Sequence, residues 1–145
     1  MALKAKLLSL ALLLTVTLQA AADDQDTIDY RQHVMKTLGE QLAAVNMILA
    51  GKAPPQSFAV HLQVLATAAS QARKAFEPKI PGGKSKPQVW SSWPDFAQRL
   101  DALTAASSDL AKAAASGPST LGPRIRASLD CEGCHRIYMI PDKPP

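Results

Sequence analysis

The sequence has only two cysteines in 145 residues, and they stand three positions apart. Two such thiols cannot staple a fold, so stability must come from an apolar core and from whatever the cysteines hold. Long apolar runs are also missing. The longest such stretch, Leu7 to Leu18, falls short of the roughly 20 residues that a bilayer span needs. Lysine and arginine occur in ones and twos without a basic block, which excludes nucleic acid as a partner. No segment alternates convincingly between apolar and polar residues, so a sheet is not expected.

The N-terminus holds Lys4 and Lys6, the apolar stretch, and then Gln19-Ala20-Ala21-Ala22. A short basic region, an apolar segment and a small-residue site make a secretory signal peptide, with cleavage expected after Ala22. The expected mature chain, residues 23–145, is 123 residues long, enough for one domain with one modest core. Losing Lys4 and Lys6 lowers the formal charge from +4 to +2. Export places the chain in the periplasm, where thiols oxidise.

Alanine and leucine are abundant, and four apolar-periodic segments read as helices. In the first, Ile28, Met35, Leu38, Leu42, Val45 and Leu49 form a 3/4-spaced stripe that ends at Gly51. Phe58, Leu62, Leu65, Ala69, Ala72 and Phe76 form the second, stopped by Pro78. The third runs through Phe96, Leu100, Leu103, Ser107, Leu110 and Ala114, with Pro94 near its start and Gly117-Pro118 at its end. The fourth is expected to begin near Pro123, to carry Ile125 and Leu129, and to stop before Pro141. Short links on both sides of a longer one, Glu77 to Trp93, predict an all-α antiparallel four-helix bundle. The longer link is expected to be an ordered loop that buries Trp90 and Trp93. Inward-facing Ala69, Ala72, Ser107 and Ala114 would leave room between helices, and the outer faces show no obvious apolar patch.

Chemistry concentrates in Cys131-Glu-Gly-Cys134-His135. C-x-x-C-H is a covalent haem c attachment motif: two thiols add across the porphyrin vinyl groups, and the adjoining imidazole ligates iron. On a helix, Cys131 shares a face with both Cys134 and His135, three and four residues on. Two other chemistries compete. A thioredoxin-like dithiol would sit in a βαβ setting, which is missing here. Structural zinc needs four ligands, and Cys131, Cys134, His135, His33 and His61 are the candidates, although adjacent Cys134 and His135 are an unusual ligand spacing.

With this motif on its last helix, the chain resembles the cytochrome c′ family, the class II c-type cytochromes. Tyr30-Arg31-Gln32-His33-Val34-Met35 resembles that family's Y-R-Q segment, and Val89-Trp90-Ser91-Ser92-Trp93 is a further match. The resemblance implies that the residue four after Arg31 faces the distal side of the haem. That residue is Met35, and a thioether can ligate iron, which points to a low-spin, His135/Met35-ligated branch. Arg31 is expected to pair with a haem propionate. Met139 stands where relatives often have a basic residue, leaving Arg136 or Arg124 as substitutes for a second propionate contact. Met47 falls off the stripe, His33 is expected to be solvated, and His61 has no evident partner.

The function so implied is a periplasmic electron carrier, not an enzyme, serving a redox partner protein, with a homodimer as the assembly common among relatives. The alternatives are a five-coordinate protein that binds or senses nitric oxide or carbon monoxide, and a haem-free metal-binding or chaperone-like bundle.

Overall fold

The computed structural model describes residues 23–141, so the expected signal peptide lies outside the described residues. Its elements are α1 (Asp24–Leu49), α2 (Phe58–Phe76), the short α3 (Gln88–Ser91), α4 (Trp93–Lys112), α5 (Gly117–Ser128) and α6 (Cys131–Tyr138). Helices α1, α2 and α4 are three arms of an antiparallel four-helix bundle, and α5 with α6 makes the fourth. Among the described residues there is no strand, only isolated bridges pairing Ser85 with Gly82 and with Met139.

Local chemistry sets most of the boundaries. Asp23 caps α1, its carboxylate accepting from the Gln25 amide, and Asp24 and Asp26 place negative charge at the helix's positive end. Gly51, at φ +68°, turns the chain out of that helix. Pro78 stops α2 as expected, with Glu77 as its cap. All six residues of the α2 stripe are buried, and Leu62, Ala69 and Ala72 are fully enclosed.

Several expectations needed correction. The small residues do not open a space between helices: Ala69, Ala72 and Ser107 are 0% exposed and line no cavity described below. They let α2 and α4 approach closely enough for the Thr104 hydroxyl to donate to the Ala69 carbonyl at 3.0 Å. The fourth arm starts at Gly117, not near Pro123, because Gly117 at φ +80° and Pro118 open a helix that runs through Pro123. It then breaks at Leu129 and Asp130, whose ψ values of 85° and 61° leave the helical region. The long link is ordered and contains α3, and its Trp90 indole N–H donates to the Phe76 carbonyl at 3.1 Å. Finally, α1 and α2 do carry an outward apolar groove, lined by Tyr30, Val34, Val64 and Ala68.

Packing divides the core into two clusters. One gathers Leu38, Leu65, Phe76, Val89, Phe96, Leu100 and Tyr138. The other gathers Val45, Ile48, Phe58, Leu62, Leu110, Leu121 and Ile125. Of the sequence-predicted site residues, Met35 and Cys134 pack against the first.

Candidate haem site

The attachment motif forms the short helix α6, and its geometry depends on the residue before it. Asp130 is the N-cap, its carboxylate accepting from the Gly133 amide at 2.9 Å. The carboxylate folds so closely over the helix that a Cβ on Gly133 would collide with it. Cys131 and Cys134 are half-buried, and burial pushes both thiols above their ordinary pKa. His135 is exposed, one turn along the helix from Cys131.

These three residues edge a cavity of about 670 Å³. Its wall is largely apolar, with Met35, Leu38 and Leu42 from α1, Leu65 from α2, and Leu100 and Leu103 from α4. Gly39, one turn beyond Met35, also lines it, and a Cβ there would meet no other atom within 4 Å. The size is that of a pocket for a cofactor-scale molecule.

Arg31 lies at the edge of the same cavity and is 1% exposed. Its Nη1 donates to the Ile80 carbonyl at 2.6 Å and its Nη2 to the Gly82 carbonyl at 2.7 Å. The guanidinium sits 5.0 Å from the Trp90 ring centroid and 5.7 Å from that of Phe76. Burial pushes its pKa below the ordinary arginine value. Nε is buried without a partner, so this cation touches only neutral acceptors and keeps one donor unused. The donors present therefore suit a haem: two thiols, an imidazole, an apolar wall and a buried cation with a spare N–H.

A second polar group was missed by the sequence reading. Tyr138, 4% exposed, donates its hydroxyl to Asp95, and Arg99 Nε donates to the same carboxylate oxygen at 2.8 Å. Those two hydrogen bonds hold the Asp95 carboxyl below its usual range, and the bond to Asp95 raises the Tyr138 phenol. Arg99 and Tyr138 both line the cavity. The i, i+4 spacing of Asp95 and Arg99 was visible in the sequence, whereas their meeting with Tyr138, 43 residues away, was not.

The remaining candidates are placed as follows. His33 is exposed and lines the outer groove. His61 does have a partner, its Nδ1 lying 2.8 Å from the Gln41 side-chain oxygen, because α1 and α2 pack side by side. Met47 is 51% exposed. Arg124 and Arg136 are exposed and do not line the cavity, but Met139 does. Among the described residues, no cluster of three or more His, Cys, Asp or Glu could hold a metal ion, which removes the basis for a zinc site.

A bundle that brings C-x-x-C-H to a large apolar cavity beside a buried cation defines a c-type haem protein. The family follows from direct comparison: residues 26–139 match the family model described as Cytochrome C′, and the chain belongs to that family, with covalent haem c as its cofactor. It is 26% identical over 124 residues to cytochrome c′ of Alcaligenes xylosoxydans xylosoxydans, covering 81% of this chain and 95% of that one. It is also 28% identical over 119 residues to cytochrome c-556 of Agrobacterium tumefaciens (strain II Chrys), covering 78% and 96%. Among solved structures, a nitric oxide complex of a mutant cytochrome c prime from Alcaligenes xylosoxidans matches with a TM-score of 0.71 at 26% identity, over 84% of this chain and all of that one. A carbon monoxide-bound variant of the same protein matches with a TM-score of 0.70 at 26% identity, over 83% and 98%.

Proposed function

We propose that this chain, exported to the periplasm and cleaved after Ala22, binds a diatomic gas such as nitric oxide or carbon monoxide at its haem. The observation that carries this reading is the apolar cavity facing α6, in a fold whose solved relatives include nitric oxide and carbon monoxide complexes. Bound haem supplies an iron centre able to take up a small ligand or an electron. Cys131 and Cys134 would anchor the ring through thioethers, and His135 would ligate iron from the α6 side. Arg31 would donate its spare Nε–H to a propionate, giving the buried cation an anion. Leu38, Leu42, Leu100 and Leu103 would keep water from the opposite face.

A second reading rests on Met35, whose thioether lines the same cavity. With His135 and Met35 both on iron, the protein would be a low-spin electron carrier, with the redox partner unidentified and no substrate converted.

Titrating the reduced protein with carbon monoxide separates the two. Rapid, saturable binding from a high-spin resting spectrum is expected for gas binding, and a low-spin spectrum that resists carbon monoxide would sink it. Under the second reading, Met35→Ala abolishes the low-spin spectrum and lowers the potential. An unchanged spectrum in that variant would eliminate methionine ligation.

A further inference from the structure

The loop between α2 and α4 bridges α1 and α6, two walls of the haem cavity, and Arg31 stands where that bridge begins. Arg31 lies one turn before Met35 on α1, and its forked donors hold the carbonyls of Ile80 and Gly82 at 2.6 and 2.7 Å. At the same place the loop backbone presses on α1. Gly82, at φ +137°, lies so near Ile28 that a Cβ would come within 2.6 Å of that side chain's Cδ1, and Gly83 packs beside Ile28 and Gln32. Only glycine allows both the backbone conformation and the approach at residue 82.

A few residues on, the same loop fastens to the far end of α6. The Lys86 amide donates to the Tyr138 carbonyl at 2.9 Å, and the Ile140 amide donates to the Lys84 carbonyl at 2.8 Å. The Lys86 ammonium donates to the Arg136 carbonyl at 2.9 Å. Those bonds take up backbone groups at the C-terminal end of a helix only eight residues long, which has little stability of its own. Two of the anchor points, the Arg136 and Tyr138 carbonyls, lie within a turn of His135, and Ile140 follows just past the helix end.

We infer that Arg31 is a positioning residue for the α6 side of the haem: it seats the segment of residues 80–86, and that segment holds the C-terminal turn of α6 and with it the His135 ring. This goes beyond a charge partner for a propionate, because it uses the two donors that grip carbonyls and reaches the wall opposite Arg31. A planar fork is needed for it. A lysine would keep the positive charge, but its single nitrogen does not reproduce the two separately placed donors that Nη1 and Nη2 supply.

The inference rests on His135 as the iron ligand, and the test separates the two ideas. Arg31→Lys and Gly82→Ala are prepared as mature haem-loaded proteins, with covalent attachment verified by mass. Two quantities are read: hydrogen exchange at the Lys86 and Ile140 amides, and the paramagnetically shifted proton resonances of the His135 ring in the ferric protein. Both variants are expected to speed exchange at those two amides by about tenfold or more and to move the His135 resonances together. Gly82→Ala leaves the arginine intact, so its effect cannot come from charge. Unchanged exchange at Lys86 and Ile140 in Gly82→Ala, or a wild-type pattern in Arg31→Lys, would overturn the inference. Absence of shifted His135 resonances in the natural protein would instead remove the ligand assignment, and the exchange data would still decide whether Arg31 seats the loop.

Discussion

The attachment motif depends on two residues less obvious than its cysteines, Gly133 within it and Asp130 just before it. Between Cys131 and Cys134, Gly133 is required because the Asp130 carboxylate lies where a Cβ would be. Asp130 is required in turn because α6 is too short to lose its cap. Replacing an N-cap carboxylate by alanine costs about 1 kcal/mol. Asp130→Ala should therefore lower thermal stability by about that amount, and Gly133→Ala should cost at least as much, since it forces the same carboxylate away. Circular dichroism melts of the two variants check this, and a Gly133→Ala protein as stable as the natural one would refute the steric argument. The pattern C-x-x-C-H was legible in the sequence. The demand on its third residue was not, because it arises from a side chain folding back over the helix.

At the scale of elements, the contact between α4 and α6 is polar as well as apolar. Phe96 meets Tyr138 edge to face with ring centroids 4.8 Å apart, and beside them Asp95 accepts from both Tyr138 and Arg99. The pH dependence follows from the shifts. The Asp95 carboxyl is lowered in the folded protein, so its contribution is present above the ordinary value of about 3.9 and fades as pH falls through the folded value. The Tyr138 phenol is raised, so its share is present below about pH 10 and fades as pH rises through its folded value. Asp95→Asn should accordingly melt lower than the natural chain at neutral pH, with the two curves converging in strong acid. A constant difference across that range would mean the carboxylate is not the group involved. Helix ends marked by proline or glycine, such as Phe76 before Pro78, were readable in advance. The break between α5 and α6 was not, since Leu129 is half-buried and continues the apolar pattern while its backbone leaves the helix.

The molecule as a whole has a haem end and a structural end. Leu62 is 0% exposed in the cluster with Val45, Phe58 and Leu110, away from the cavity lining. Phe96 packs on Phe76 and Tyr138 and lines the cavity. Leu62→Ala should destabilise the protein by about 2–5 kcal/mol while leaving the haem spectrum unchanged. Phe96→Ala should cost about 3–5 kcal/mol and also alter the spectrum. Denaturant unfolding paired with absorption spectra tests the division, and a spectral change in Leu62→Ala would show that the two ends are coupled.

What the sequence by itself determined is the chemistry and the class. C-x-x-C-H names its cofactor, and the 3/4 stripes give the helices and their inner faces, because both are written in spacings of a few residues. Tertiary structure alone decided which small residues draw helices together, that Asp95 meets Tyr138, and that Arg31 grips Ile80 and Gly82 from 49 and 51 residues away. Those contacts depend on how α1, α4, α6 and the long loop come together in space, and no local pattern of side chains encodes that meeting.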